Sequence, residues 1–368
     1  MLVPGIPGAW FLCGNGGVHE SHTGNGPFFA RPTARVPADD KPADTRGTVQ
    51  VFSPRMLAYT TRRLLVFVPI LLGVVTLTFF LLQVLPGDPV LSMVGERYDQ
   101  ATLDRLRNEM HLDDPLPVRY VRYLGSLARL DLGNSYVTGQ PVWNSIRERF
   151  PYTLRLAVAA MVLSVVLGVG AGVVSAYYWR TPVDLLTMSV TVIGVSMPVF
   201  WFGVVLVYVF AVRLNWLPAS GAGSGGLRYL VLPAVTLAQA SAAYVARITR
   251  TSVVEETGEL YIQAARARGA SRPRAVLRHA LRNALLPIVT VVAADFGSFL
   301  SGAVLTESIF AWPGLGRFTL RAILERDLPA IQGAVLFMAV LFLTVNLLVD
   351  LVYARVDPRV RVGGGTNG

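Results

Sequence analysis

Six stretches of the chain stay apolar for close to the 20 residues that a helix needs to cross about 30 Å of hydrocarbon. They are 64–85, 156–178, 185–212, 230–246, 284–306 and 331–353. The fourth is the shortest and softest, with Pro233, Gln239 and Ser241 inside it. One buried apolar helix is ordinary in a soluble core; six in one chain predict an all-α integral membrane protein with six transmembrane helices. Gly168 and Gly172 give the second span a small-xxx-small face for close helix contact, with Gly170 between them. Pro198 stands in the middle of the third span, flanked by Gly194 and Gly203. Pro233 and Pro287 lie near the starts of the fourth and fifth. A proline in a span frees a carbonyl that must find another partner, so such helices bend or line a cavity.

Composition agrees with the pattern. Hydrophobic residues are 53% and charged residues 15%, against about 25% charged in a typical soluble domain. Mean hydropathy is +0.50. The single cysteine, Cys13, excludes an internal disulfide and a cysteine-built metal site. The four histidines (His19, His22, His111 and His279) all fall outside the predicted spans, and no His-Glu-x-x-His pair is present. No metal, cofactor or catalytic residue is therefore expected. Lys41, the only lysine, is followed by Pro42, so the chain carries no nucleotide-binding P-loop.

The net charge of +10 is thus almost all arginine. With the N-terminus inside, fifteen arginines fall on the inner side and nine near span ends on the outer, which predicts both termini in the cytoplasm. Residues 86–155 then form an external segment of mixed helix and loop. Loops 213–229 and 307–330 are also external. The loop 247–283 is internal, with eight arginines against Glu255, Glu256 and Glu259. Residues 1–55 are rich in Gly, Pro, Asn and Asp and read as a disordered extension. A chain starting at Met56 is expected to keep full activity. The remainder divides into 56–155 (first span and external segment), a five-span core at 156–356, and a disordered tail at 357–368.

Asp295 is the one carboxylate well inside a span, followed by Gly297, Ser298, Ser301 and Gly302. A charge there costs roughly 2.5–3.5 kcal/mol on insertion scales, so it faces water or protein. Lining a pathway, together with Ser298 and Pro198, and making a structural hydrogen bond are both open to it. Asp350, near the end of the sixth span, is in reach of Arg355.

The internal loop carries the most specific local signal. Residues 259–268 are strong helix formers, and Gly269 supplies a stop. Ser271 can cap a following helix with Pro273 in its first turn. The expectation is helix, tight turn, helix. A DNA-binding helix-turn-helix would need a third helix and freedom from the membrane, and this loop joins two spans directly. No nucleic-acid partner is expected.

Gln263-Ala264-Ala265-x-x-x-Gly269 in the last large internal loop resembles the EAA loop of ABC importer permeases. The stretch Arg278-His279-Ala280-Leu281-Arg282-Asn283-Ala284-Leu285-Leu286-Pro287 resembles their dipeptide/oligopeptide/nickel branch. So do Leu85-Pro86-Gly87-Asp88-Pro89, Asp131-Leu132-Gly133-Asn134-Ser135 and Trp312-Pro313-Gly314-Leu315-Gly316-Arg317. Gln263 departs from the glutamate of the family motif, and the closing Leu286-Pro287 lies farther from Gly269 than in the general pattern. The resemblance implies an inner-membrane permease subunit without its own ATPase site. Its partners would be a second homologous permease, two ATPase subunits and an external solute-binding protein, with membrane lipid around it. Tyr261, Gln263, Ala264, Ala265, Arg266, Arg268, Gly269 and Arg272 would couple to the ATPase. Trp312, Gly314, Gly316 and Arg317 would form an external gate or docking surface, Trp312 being equally readable as a lipid-interface anchor. The substrate would be a di- or oligopeptide, with a nickel or other metal chelate, or haem, as alternatives. A secondary transporter or channel, and a scaffold without transport, remain the rivals from other classes.

Overall fold

The computed structural model describes residues 54–84, 90, 99–109, 112–223, 226–301 and 303–356. The expected extension up to residue 53, the Leu85-Pro86-Gly87-Asp88-Pro89 stretch, Gly302 and the tail from 357 lie outside the described residues.

Twelve α-helices make up the described chain. In order they are α1 (Pro54–Val84), α2 (Gln100–Glu109), α3 (Leu116–Ala128), α4 (Val142–Tyr177), α5 (Pro182–Ser196) and α6 (Val199–Leu206). After a π-helical continuation of α6 (Val207–Arg213) come α7 (Leu227–Thr257), α8 (Leu260–Ala267) and α9 (Arg272–Leu300), which is π-helical over Ala275–Ala280. The last three are α10 (Val304–Ile309), α11 (Leu315–Leu324) and α12 (Leu328–Val356). No strand occurs among the described residues; one isolated bridge, Asn134 with Pro141, closes a small loop. Five helices (α1, α4, α7, α9 and α12) are long and apolar enough to cross a membrane, and α5 with α6 makes a sixth if the bent pair is one span.

The softest predicted span is the centre of the bundle. Half of the apolar window of α7 is buried inside the protein, against 11% for α1. Its small and polar residues (Ala234, Ala238, Ser241 and Ala246) face other helices rather than lipid, so low hydropathy there reflects a protein neighbour. Its principal neighbour is α4, met across Gly168 and Gly172. A Cβ at Gly168 would stand 2.7 Å from the Ala242 carbonyl oxygen, and one at Gly172 would stand 2.6 Å from that of Ala246. The small-xxx-small face thus brings two backbones together.

The third predicted span, 185–212, is not one helix. Its halves α5 and α6 meet at 104° across Met197 and Pro198. Pro198 has no N–H to offer the carbonyl of Gly194. The side-chain amide of Gln239 from α7 donates to that oxygen instead, and to the Met197 oxygen at 3.3 Å. The fifth span also ends early, at Leu300 rather than 306, with α10 starting a separate element at Val304. At the far end of α12, Asp350 pairs with Arg63 of α1 at 2.9 Å. The expected partner Arg355 has no described side chain, and the pairing that is seen ties the first span to the last.

Candidate functional site

Helix α8 is short, and one residue roots it. Ile262 is buried in a cluster with Val253, Ala275, Val276 and Ala280, contributed by α7 and the first turns of α9. Gln263, Ala264, Arg266 and Ala267 face outward. Leu260, at the helix start, is 79% exposed although apolar. The helix stops as expected: Gly269 has φ +91°. Its N–H donates to the Arg266 carbonyl at 2.9 Å, and that of Ala270 to the Ala265 carbonyl at 3.1 Å. This is the paired bonding of a Schellman ending, which the left-handed glycine permits. Ser271 takes the position before the next helix, with Pro273 in the first turn, but its hydroxyl makes no capping bond.

Polar contacts hold this elbow to three spans. Arg272 donates to the carbonyl oxygen of Tyr177 at 2.8 Å and lies over the Tyr177 ring, fastening the turn to the end of α4. The Tyr261 hydroxyl bonds the Glu256 carboxylate of α7 and accepts from the Asn283 amide of α9 at 2.8 Å. Partial burial and the Glu256 bond push the Tyr261 phenol up to about 12, so it stays a donor at neutral pH. Gln263 donates to the Gly258 carbonyl at 3.1 Å and Arg268 to that of Ala264 at 3.3 Å. Arg266 has no partner among the described residues. Tyr261 and Arg272 therefore position the elbow, while Gln263, Ala264, Arg266 and Ala267 form its outer face, with Ala265 half-buried beside them.

A stronger lock lies behind the elbow, and sequence reading missed it. Asp184, in the first turn of α5, accepts two bonds from the Arg250 guanidinium of α7, at 2.7 and 2.8 Å. Ser175 of α4 and the Arg180 N–H complete its shell at 2.5 and 3.0 Å. Asp184 is only 5% exposed. The available sequence signal was an acid in the first turn of a helix opened by Thr181 and Pro182.

At the opposite end, the stretch from Trp312 to Arg317 wraps a buried carboxylate. Glu307, fully buried, accepts from the Thr153 hydroxyl at 2.8 Å and the Arg317 N–H at 2.9 Å. Burial pushes its carboxyl above the usual range, against the lowering effect of these donors and of the Gly316 N–H. The two glycines exist to make room. A Cβ on Gly314 would meet the Glu307 carboxylate at 2.2 Å, and one on Gly316 would meet the Val304 backbone at 2.8 Å. Trp312 is 4% exposed, and its ring N–H donates to the Tyr152 carbonyl at 3.0 Å. Trp312 thus packs the loop onto α4. Arg317 alone of the four is exposed, its guanidinium bonded to the Ala311 carbonyl at 2.7 Å. Gly314→Ala is expected to destabilise the folded subunit by about 1–3 kcal/mol through overpacking. Arg317→Ala is expected to leave the thermal midpoint within a degree or two, and a melting curve compares the two.

The familiar stretch from Asp131 to Ser135 is likewise structural. Gly133, at φ +75°, turns the chain, and Ser135 bonds Asp327, which also accepts from the Tyr136 N–H at 3.0 Å. Asp327 is buried, and nothing in its local sequence marked it.

Two of the three candidate pathway residues, Asp295 and Ser298, stand one turn apart on α9, and Pro198 stands at the break between α5 and α6. Asp295 is half-buried and accepts from Ser241 of α7, whose hydroxyl in turn meets Ser164 of α4 at 2.6 Å. Of the two roles open to it, the structural hydrogen bond is the one observed. Ser298 and Pro198 are exposed on open faces of α9 and of the α5–α6 break.

Fold and site together define a polytopic all-helical membrane protein with a basic, rigidly braced elbow between its fourth and fifth spans. The chain belongs to the family described as the binding-protein-dependent transport system inner membrane component, which it matches over residues 164–362. The N-terminal region of the same family's membrane component matches over 56–157. It is 37% identical over 332 residues to the dipeptide transport system permease protein DppB of Alkalihalophilus pseudofirmus, covering 83% of this chain and the whole of that one. It is 40% identical to the di/tripeptide transport system permease protein DppB of Pseudomonas aeruginosa, over 83% and 99% of the two chains. The glutathione transport system permease protein GsiC of Escherichia coli is also 40% identical, over the same shares. Among solved structures, an inward-facing form of the MetNI methionine ABC transporter superposes with a TM-score of 0.50 at 17% identity, over 58% of this chain and 96% of that one. That likeness speaks for the fold alone. The chain is a multi-pass permease subunit of this family.

Proposed function

We propose that this chain forms half of the pathway of an ATP-driven importer for di- or oligopeptides and takes its work from separate ATPase subunits through the elbow at 260–272. The substrate class is supported by the relatives, whose names specify dipeptide, di/tripeptide and glutathione transport. The coupling role is carried by one observation: an exposed helix ended by a left-handed glycine is braced by Arg272 to α4 and by Tyr261 to α7 and α9. A push on its outer face is therefore delivered to three spans. Ala264, Ala265 and Gly269, being small, admit close approach of an ATPase surface, and Arg266 offers it charge-assisted hydrogen bonds. Gln263 contributes an amide where the family motif has a charge. A second homologous permease faces Pro198, Asp295 and Ser298 across the pathway. An external solute-binding protein meets Arg317 and the segment before α4. The elbow and both chain termini lie in the cytoplasm on this reading, which the arginine bias supports.

Gly269→Val tests the reading, because a β-branched residue at φ +91° carries strain of about 1–2 kcal/mol. With ATPase subunits and binding protein reconstituted, peptide uptake and substrate-stimulated ATP hydrolysis are expected to fall together by at least about tenfold. Gly269→Asn, which tolerates the left-handed region, is expected to keep most of both. Uptake by this chain alone without nucleotide, or unchanged coupling in Gly269→Val, would overturn the proposal. So would a cysteine at position 267 that external thiol reagents label in intact cells.

A further inference from the structure

A groove of 820 Å³ runs down the flank of the bundle between α4, α9 and α12. That volume is in the range of about 300–1,000 Å³ found for small-molecule sites. Its walls are apolar but for one residue, with Leu285, Val289 and Phe296 from α9, Val162 from α4 and Val349 from α12 among them. Arg282 is the single polar side chain on its lining.

Three observations say what fills it. First, Leu285 and Phe296 are eleven residues apart, about 16 Å along a helix. One leaflet of the hydrocarbon core is about 15 Å deep, so the groove has the depth of one leaflet, and Arg282 falls where headgroups begin. Second, Arg282 and Arg278, four residues apart and both exposed, have no protein partner among the described residues. Third, α9 has two exposed faces of different chemistry. Thr290, Ala294 and Ser298 share one open face that is small and polar, suited to a subunit contact or an aqueous pathway. The grooved face opposite offers only aliphatic and aromatic carbon, which complements an acyl chain.

We infer that the groove binds a single anionic phospholipid, with an acyl chain along Val289 and its phosphate held by Arg282 beside Arg278. Charge-assisted bonds from guanidinium to phosphate oxygens fix the headgroup, and burial of methylene groups against the groove holds the tail. Placing this lipid in the cytoplasmic leaflet rests on the orientation proposed above; the groove and its occupant do not. A lipid bridging α4, α9 and α12 would brace two of the three helices, α4 and α9, to which the elbow is fastened.

The test is native mass spectrometry of the intact transporter complex released from nanodiscs of phosphatidylglycerol or of phosphatidylcholine. Wild-type complex is expected to retain one phosphatidylglycerol, and phosphatidylcholine about fivefold less, as expected for one basic contact. Arg282→Gln is expected to lose that preference and Arg282→Lys to keep it. Val289→Trp, which fills the groove, is expected to retain neither lipid. If Val289→Trp fails to assemble, p-benzoylphenylalanine placed at position 289 carries the test, and a crosslink to lipid supports the inference. Equal retention of both lipids by wild type and Arg282→Gln would overturn it, as would a position-289 crosslink to a protein subunit. Uptake measured in parallel separates this result from the transport reading, since Arg282 takes no part in the proposed ATPase contact.

Discussion

Arg250→Ala is expected to lower the stability of the folded subunit by about 1–3 kcal/mol, the cost of leaving the Asp184 carboxylate without its charged donor while Arg250 itself is 27% exposed. The carboxylate left behind, Asp184, is 5% exposed and would keep only the Ser175 hydroxyl and the Arg180 N–H as donors. Arg250→Lys restores charge but not the two-pronged geometry, since only a guanidinium offers parallel donors at the observed 2.7 and 2.8 Å. An intermediate loss is expected for it. The double change Asp184→Leu with Arg250→Leu removes both charges at once, and it should recover much of what Arg250→Ala loses. Thermal unfolding in detergent and abundance in the membrane measure the series. If Arg250→Ala melted with wild type, Asp184 would have to be protonated or solvated rather than held by the guanidinium. The pair joins α5 to α7, close in sequence to Tyr177, where Arg272 fastens the elbow.

Gly172→Leu carries the second large effect. A bare Cβ already stands 2.5 Å from the Thr249 side chain and 2.6 Å from a backbone oxygen. Neither α4 nor α7 can yield without opening the centre of the bundle. Overpacking of a well-filled core costs about 1–3 kcal/mol; here backbone is the obstacle, so the upper part of that range is expected. Membrane levels should fall accordingly. Gly170, two residues away with nothing within 4 Å of its would-be Cβ, supplies the control: Gly170→Ala is expected to stay within about 0.5 kcal/mol of wild type. Equal effects at both positions would mean that helix propensity, rather than the seam with α7, governs this segment.

These two sites show where sequence reading stops. Gly168 and Gly172 were readable as a contact face because their spacing puts both on one side of a helix, yet which helix they met was not. Gly269 was readable in full, since a left-handed stop after a run of helix formers depends on its own neighbours. Trp312 and its glycines were readable as a special loop, but not the reason for their spacing: the carboxylate they enclose, Glu307, lies outside the motif. Asp184, Arg250 and Asp327 escaped altogether. Each sits in an unremarkable local sequence and finds its partner 66 or 192 residues away.

By itself, then, the order of residues determined the membrane class, the near-positions of the spans, the elbow and its glycine stop. All of these follow from hydropathy over one helix length or from the backbone preference of one residue. Only the folded chain decided that the third span breaks through 104°, that Gln239 satisfies the carbonyl set free there, and that the buried acids pair as they do. Hydrocarbon offers no water to an unpaired polar group, so each must find a partner wherever helix packing brings one near. That proximity is a property of three dimensions.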